Sequence, residues 1–501
     1  MASNHRLKVG IDFGTTFSGI SWIHTKKPEE VNVIMKWPGT TSAFAKVPSE
    51  LSYTSDGKVR KWGYQLKLSE ERIAWFKLLL QPMGYTSASS SMVTGTQKLA
   101  TTKKPVEIVA DYLSCLRVHF LEVISTSLGK AFLDATPIDY TLTVPAIWTD
   151  AAKAQTLEAA EKAGLGTKDT IQLMSEPDAA AAWTLLRDIN PNNLKVGDSF
   201  VVVDCGGGTV DLISYEVQKL DPFTVKECAK GTGGICGSVF LNEGFIELVK
   251  SRTGPWFPKK AATRNRMVKE WEEVLKREFS NSEEDDIFSC PIGGIPDDIE
   301  MGIEDGAFII TREEMLGIFD PIIDKIIPLV QEQIDMVEVQ NERDLHISAV
   351  LLVGGFGESK YLKQRLEKEL TEGKGTKCSS IEILQPTNGW SAVSRGAALG
   401  IRISSRKARR HYGVSCAAPF IHGVHPLKNL IHDTYTGQAM CNNYMEWYIK
   451  KYEQVSEDEP KSVPFYRAVP IDDSLKFVTQ VTDCGDDGAP EYTNDLGGAS
   501  K

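Results

Sequence analysis

The most informative stretch of this 501-residue chain is Phe200-Val201-Val202-Val203-Asp204-Cys205-Gly206-Gly207-Gly208-Thr209-Val210-Asp211. An apolar run too short for a helix is followed by a carboxylate, three glycines, a hydroxyl and a second carboxylate. Glycines let backbone N–H groups approach a phosphate closely, and a carboxylate at a strand end can hold Mg²⁺ through its waters. The stretch therefore predicts a phosphate-binding hairpin. Taken alone, it leaves open a glycine-rich β-turn between two strands.

The same design occurs a second time near the N-terminus, in Val9-Gly10-Ile11-Asp12-Phe13-Gly14-Thr15-Thr16-Phe17-Ser18-Gly19. Each copy opens a long region in which strand-like and helix-like patterns are mixed. Two phosphate hairpins in one chain indicate a duplicated α/β fold that clamps a single nucleotide between its halves.

Composition excludes several classes of protein. The hydrophobic content of 42% and charged content of 25% are ordinary for a globular protein, and the length predicts more than one domain. The net charge of −11 argues against a nucleic-acid-binding surface. We find no apolar stretch near the roughly 20 residues that span a bilayer, no signal core and no CxxC spacing among the cysteines. We therefore expect a cytoplasmic protein with no membrane or nucleic-acid partner.

The motifs resemble the nucleotide-binding domain of the heat shock protein 70 family, within the actin, sugar-kinase and chaperone superfamily. The resemblance covers roughly residues 7 to 402. Asp12 to Thr16 is similar to the first phosphate motif, Asp204 to Asp211 to the second, and Val350 to Ser359 to the adenosine motif. The most discriminating match is Glu273-x-x-Lys276-Arg277-x-x-Ser280, which is similar to the helix that holds adenosine in this family. Actin and the sugar kinases do not share that pattern.

The resemblance implies a duplicated, actin-like (ribonuclease H-like) two-lobed α/β ATPase domain. Lobe I is expected over 1–195, with 383–402 packing back on it, and lobe II over 196–382. Peripheral subdomains are expected at about 41–107 and about 231–311.

Residues 403–501 are expected to form a reduced C-terminal segment that is mainly β or partly disordered. Tyr412 to Val414, Trp447 to Lys450 and Phe465 to Tyr466 predict strands. The segment is too short for the family's peptide-binding module. Arg406-Lys407-Ala408-Arg409-Arg410 stands where the family has a hydrophobic acidic linker.

The residues expected to hold metal and phosphate lie on the two hairpins. Asp12 and Asp204 are the candidates for holding Mg²⁺, and turn-forming aspartates are the alternative. The candidates for binding phosphate supply backbone N–H groups and hydroxyls: Gly14, Thr15, Thr16, Gly206, Gly207 and Gly208. For Thr15 and Thr16, threonines of an ordinary β-turn are the alternative.

The resemblance implies three catalytic residues near the metal and the attacking water: Asp211, Glu176 and Thr209. It also implies that Lys77, in Trp75-Phe76-Lys77-Leu78-Leu79, reaches the γ-phosphate. A solvated lysine on an amphipathic helix is the alternative for Lys77.

The resemblance also implies an adenosine site formed by Glu273, Lys276, Arg277, Ser280, Gly354 and Gly355. For the three charged residues the alternative is a surface ion-pair cluster, worth about 0.3–0.5 kcal/mol per pair. Glu358 stands where the family has an arginine that stacks on the base. Stacking from that side is therefore expected to be lost.

The leading hypothesis is an ATP-binding, slowly hydrolysing switch protein of heat-shock-protein-70-like type, with ATP or ADP and Mg²⁺ as cofactors. Its enzymatic activity would be a weak ATPase. Client polypeptides or a co-chaperone are the further partners that the resemblance implies. One alternative is an actin-like scaffold that binds nucleotide without turnover. Another is a small-molecule kinase of the same superfamily, against which the Glu273 to Ser280 pattern argues.

Overall fold

The computed structural model describes residues 5–81, 103–188, 195–282, 286–340, 345–372, 381–456, 459–464 and 480–495. The chain divides into two compact units. The first comprises Met1–Phe223 and Gly231–Ile401, and the second comprises Thr224–Lys230 and Arg402–Lys501. Residues 224–230, which were expected within lobe II, therefore belong to the second unit.

The strands are β1 Leu7–Phe13, β2 Phe17–His24, β3 Lys27–Val33, β4 Val47–Pro48, β5 Glu50–Tyr53, β6 Val59–Trp62, β7 Ile73–Ala74, β8 Ile138–Val144, β9 Gln172–Ser175, β10 Ser199–Cys205, β11 Val210–Leu220, β12 Phe223–Gly234, β13 Ile287–Pro291, β14 Ile303–Glu304, β15 Ala307–Thr311, β16 Ile347–Val353, β17 Glu382–Leu384, β18 Arg402–Lys407, β19 His411–Pro419, β20 Leu430–His432, β21 Ala439–Ile449, β22 Gln454–Ser456 and β23 Thr482–Cys484.

The α-helices are α1 Pro105–Leu128, α2 Lys130–Ala135, α3 Asp150–Lys162, α4 Glu176–Trp183, α5 Val239–Thr253, α6 Ala261–Glu270, α7 Lys276–Glu278, α8 Arg312–Gln340, α9 Gly354–Gly357, α10 Lys360–Glu372 and α11 Ala392–Leu399. Short 3₁₀ turns cover Gly63–Gln65, Phe76–Leu80, Gly254–Trp256, Gly389–Ser391, Leu427–Asn429 and Thr493–Asp495, and π-helical turns cover Thr184–Asp188 and Trp271–Leu275. Over the described ranges, no helix combines the length and apolarity needed to cross a membrane.

The first unit contains the same strand arrangement twice. In lobe I the order is β3-β2-β1-β8-β9, where β1 pairs antiparallel with β2 and parallel with β8. In lobe II the order β11-β10-β16-β17 repeats this arrangement, because β10 pairs antiparallel with β11 and parallel with β16. This repetition confirms the predicted duplicated two-lobed α/β fold. Two smaller sheets, β6-β5-β7 and β13-β15-β14, lie within the ranges expected for the peripheral subdomains.

The apolar run that precedes each hairpin forms the centre of its lobe. All seven residues of β10 are buried, as are six of the seven in β1. Strands covered on both faces read as continuous apolar runs, because both of their faces must exclude water. Each carboxylate that follows the run, Asp12 or Asp204, is therefore held at a fixed strand end and is itself buried.

Helix α11 packs on lobe I at very short range. A Cβ added at Gly396 would lie 1.6 Å from the backbone oxygen of Ala179 in α4, and one at Gly10 in β1 would lie 2.3 Å from the backbone oxygen of Ser394. The run Ala179 to Ala182 is fully buried and carries no side chain beyond Cβ. Small residues on both helices therefore permit a backbone contact that larger ones would block.

The second unit is formed by strands. Its sheet has the order β20-β21-β19-β23, while residues Thr224 to Lys226 of β12 pair with β18, and β18 pairs with β22. Across 402–456, 459–464 and 480–495 it contains no α-helix, which agrees with the expected mainly-β extension. Tyr412 to Val414 lie in β19 and Trp447 to Ile449 in β21, as predicted. The predicted strand at Phe465 and Tyr466 lies outside the described residues.

Candidate active site

A cleft in the first unit lies between the two hairpins. Most of the predicted site residues line it. Those that line it are Asp12, Gly14, Thr15, Thr16, Lys77, Glu176, Asp204, Gly206, Gly207, Gly208, Thr209, Glu273, Lys276, Arg277, Gly354 and Gly355. Asp211 is buried directly behind this wall, opposite Asp204 in the pairing of β10 with β11. Ser280 is the one predicted residue that lies apart from the cleft and its wall.

The two glycine hairpins touch each other. The backbone N–H of Gly206 donates to the carbonyl of Thr209 at 2.9 Å, which closes the second turn. A Cβ added at Gly207 would lie 2.4 Å from Oγ1 of Thr16, and one at Gly208 would lie 3.0 Å from Oγ1 of Thr15. Glycine is therefore needed at the tip of the second hairpin to bring it against the threonines of the first.

Four carboxylates are buried around the floor of the cleft: Asp12, Glu176, Asp204 and Asp211. Two buried lysines accompany them. Nζ of Lys46 lies 2.5 Å from Oδ2 of Asp12, and Nζ of Lys77 pairs with Oε1 of Glu176. Two ammonium groups cannot balance four ionised carboxylates, so the cluster favours a further cation.

The pKa values of the cluster respond to this crowding. Burial raises the pKa of Glu176 to about 7, although the neighbouring Lys77 ammonium opposes the shift. Burial also raises the pKa of Asp204 well above its ordinary value, and repulsion from Glu176 and Asp12 adds to the effect. A divalent cation would relieve the same repulsion, since it stabilises the ionised carboxylates.

Asp211 is held in one orientation by the backbone of the other lobe. Its Oδ1 accepts a hydrogen bond from the N–H of Ile147 at 3.0 Å. Burial raises the pKa of Asp211, while hydrogen bonds from Ile147 and from the hydroxyl of Thr209 act in the opposite direction. The carboxylate therefore has a fixed position behind the second hairpin, which suits a group that orients a water molecule.

The donor set fits Mg²⁺ bound mainly through water and phosphate oxygens. Among the described residues, no three His, Cys, Asp or Glu side chains converge as direct ligands of one metal ion. Mg²⁺ usually keeps several waters and is bound through one or two carboxylates together with substrate phosphates. Asp12 and Asp204, one from each hairpin, are the carboxylates that suit this arrangement.

Lys77 lies in the 3₁₀ turn Phe76–Leu80 and is only 2% exposed. Its Nζ lies 5.5 Å from the ring centroid of Phe13 and 5.4 Å from that of Trp148. The alternative of a solvated lysine on an amphipathic helix is therefore wrong, because the turn is short and packs its lysine inward against Glu176.

The segment predicted to hold adenosine is a helix interrupted by the π-helical turn Trp271–Leu275. Nζ of Lys276 donates to Oδ1 of Asn242 at 3.0 Å, and burial lowers the pKa of this lysine. The guanidinium carbon of Arg277 lies 5.2 Å from the ring centroid of Trp390. Lys276 and Arg277 thus face different neighbours across the cleft wall. Glu273 is exposed and forms a surface ion pair, in which its Oε2 lies 3.8 Å from Nζ of Lys269, as the ion-pair alternative expects.

Ser280 does not line the cleft, because helix α7, which carries Lys276 and Arg277, ends before Ser280. Helix α7 ends at Glu278, and Phe279 takes a non-helical backbone conformation with ψ of 120°. The spacing that would place Ser280 one turn beyond Lys276 and Arg277 therefore does not apply.

The third glycine turn meets the second hairpin. Gly354 has a φ of +80°, and a Cβ there would lie 2.4 Å from Oδ1 of Asp204. Glycine is required at this position both by the backbone conformation and by the approach to the carboxylate.

Sequence reasoning missed several residues of the cleft: Phe17, Lys46, Ser238, Glu272, Phe356, Ser359, Trp390 and Val393. Lys46 directly precedes β4, whose Val47 pairs with Ser18 of the first hairpin. Recognising Lys46 would have required predicting that β4 pairs with β2. Strand β4 has only two residues, which is too short for a recognisable strand pattern. Trp390 lies in a turn between β17 and α11 that carries no recognised motif.

Comparison with known proteins gives a consistent result. A family model described as Hsp70 protein matches residues 87–412. The chain is 25% identical to heat shock 70 kDa protein 12A of Mus musculus over 90% of this chain and 78% of that protein, and the values for the Homo sapiens protein of the same name are the same. It is 30% identical to a chaperone protein HscA homolog of Janthinobacterium sp. (strain Marseille), over 43% of this chain and 33% of that protein.

Proposed function

The chain belongs to the Hsp70 protein family, and we propose that this Hsp70-like ATP-binding protein hydrolyses ATP slowly and closes its two lobes around Mg²⁺-ATP. The observation that carries the proposal is the contact between the hairpins above the buried carboxylates. This contact supports the proposal because it brings glycine and threonine residues from the two lobes together beside buried carboxylates.

Each hairpin has a role in this proposal. The N–H groups of Gly206 to Gly208 and the hydroxyls of Thr15 and Thr16 bind phosphate oxygens. Asp12 and Asp204 are the residues that would hold Mg²⁺, and the ion would neutralise charge on the phosphates. Because the contacts come from both lobes, a bound triphosphate favours the closed arrangement.

The reaction needs a positioned water and a group that neutralises the γ-phosphate. Asp211, fixed by the Ile147 N–H, orients the attacking water and accepts its proton. We assign neutralisation of the γ-phosphate to Lys77, because its Nζ is buried beside Glu176 within the cleft. Thr209 completes the arrangement by hydrogen bonding to Asp211.

A chaperone role with client polypeptides or a co-chaperone is a further part of the proposal. Its support is that several relatives are chaperone proteins by name. A nucleotide-bound scaffold without turnover is separated from this proposal by whether bound ATP is converted to ADP.

A ligand panel on the full chain tests the binding step. We expect Mg²⁺-ATP and Mg²⁺-ADP to raise the midpoint of thermal unfolding, because a ligand at 100 times its Kd stabilises the folded state by about 2.7 kcal/mol. Hexoses at the same concentration should leave the midpoint unchanged. Shifts with both a hexose and the nucleotides would favour the small-molecule kinase instead, because a kinase binds ATP together with its acceptor.

Gly207→Ala tests the contact between the hairpins. The added methyl would meet Thr16 at 2.4 Å, so the hairpins must separate, and we expect ATP affinity to fall about tenfold. Isothermal titration calorimetry measures the change. Gly293→Ala is the control, since a Cβ there has no neighbour within 4 Å. Equal affinities for the two variants would show that the hairpin contact does not matter for binding.

A further inference from the structure

Trp390 is an aromatic residue of the cleft wall that none of the recognised motifs contains. It lies in the 3₁₀ turn Gly389–Ser391, and its ring is half-buried at the edge of the cleft. The ring centroid lies 5.8 Å from that of Phe17, at an interplanar angle of 75°, and 5.2 Å from the guanidinium carbon of Arg277. Trp390 thus joins the first hairpin to the segment predicted to hold adenosine.

The third glycine turn reaches the same ring. A Cβ added at Gly355 would lie 3.5 Å from both Cδ1 and Nε1 of Trp390, so this glycine leaves the indole edge uncovered. Beside it, Oε1 of Glu358 accepts a hydrogen bond from the backbone N–H of Trp390 at 3.1 Å. The carboxylate that replaces the family's arginine therefore holds the turn that carries the tryptophan.

We propose that Trp390 is the platform on which the base of the bound nucleotide stacks, with Arg277 covering the outer face of the base. This inference rests on the proposed nucleotide site in the same cleft. Aromatic rings and guanidinium planes both stack on nucleobases. Arg277 is exposed, so its side chain can move outward to admit a base at the cost of a rotamer change.

Glu358 has a different role in this arrangement. It is a positioning residue, because its carboxylate contacts the backbone of Trp390 and fixes the turn. In this arrangement Trp390 supplies the stacking on the base that was expected to be lost because Glu358 stands in place of the family's arginine.

The test compares a nucleotide with its phosphate part alone. Full-length wild type, Trp390→Ala, Trp390→Phe and the control Trp256→Ala are titrated with Mg²⁺-ATP and with inorganic Mg²⁺-triphosphate by calorimetry. Trp256 is 54% exposed and is not part of the cleft lining, so its replacement controls for loss of a tryptophan. We expect Trp390→Ala to weaken ATP binding at least tenfold and Trp390→Phe by less than about threefold. Triphosphate affinity should be the same in all four proteins.

Two results would overturn the role of Trp390 while leaving the nucleotide site intact. One is wild-type ATP affinity in Trp390→Ala, and the other is a parallel loss of triphosphate affinity, which would indicate a general distortion of the cleft. Glu358→Ala should weaken ATP binding, because the Trp390 N–H then loses its acceptor, and Glu358→Gln should weaken it less, because the amide oxygen can still accept that N–H. If wild type binds neither ATP nor triphosphate, the proposed function itself fails, and the role of Trp390 fails with it.

Discussion

Asp211→Asn is expected to slow single-turnover hydrolysis of Mg²⁺-ATP at least 100-fold while changing ATP affinity by less than about threefold. The amide oxygen can still accept the Ile147 N–H at the position of Oδ1, so the side chain keeps its place. It can no longer accept a proton from the attacking water, and general-base catalysis contributes about 10²–10⁴-fold to such reactions.

The measurement is rapid mixing of excess protein with radiolabelled ATP, followed by separation of ATP from ADP. Asp150→Asn is the matched control, because this aspartate is exposed at the start of α3 and is not part of the cleft lining. A rate for Asp211→Asn equal to that of the control would remove Asp211 from the mechanism. A loss of ATP binding would assign it to binding instead.

Gly396→Ala is expected to lower the free energy of unfolding by about 3 kcal/mol, the upper part of the usual range for an overpacked core. The added methyl would lie 1.6 Å from the backbone oxygen of Ala179, so α11 and α4 must move apart. Helix α11 is also in close contact with β1 at Gly10, so moving α11 away from α4 disturbs that second contact as well.

Gly317→Ala is the matched control for this experiment. Gly317 also lies within a helix, α8, but a Cβ there has no neighbour within 4 Å. Alanine is a better helix former than glycine, so this variant should be more stable than wild type by up to about 1 kcal/mol. Urea unfolding followed by circular dichroism measures both changes. Equal stabilities for the two variants would contradict the close packing of α11 on α4.

The fold was largely predictable from the sequence because its strongest signals are local. Two apolar runs that end in Asp and glycine predict two buried strands and two hairpins, and these are β1-β2 and β10-β11. Their repetition predicts the duplicated sheet. Where residues 224–230 belong was not predictable, because that depends on pairing between Thr224 and Arg402, far apart in the chain.

The site was predictable where a motif contains its residues, and not where the chain returns from elsewhere. Lys46 meets Asp12 only because β4 pairs with β2, and Trp390 lies in a short 3₁₀ turn that no recognised motif contains. For Ser280 the prediction was wrong in the other direction, because a motif contains this residue but the structure does not place it in the site. Its spacing predicts a position on the helix, and the helix ends at Glu278. Contacts between distant segments and the exact end of a helix both depend on tertiary packing.

Calorimetric titration of wild type with ATP, in the presence of Mg²⁺ and then in EDTA, shows whether the two hairpins form a nucleotide site. We expect one ATP bound per chain with Mg²⁺, and much weaker binding in EDTA and in the Asp12→Asn, Asp204→Asn double variant. Absence of ATP binding by wild type would contradict this expectation. So would binding that neither EDTA nor the double variant changes, since the two hairpins would then not form the site.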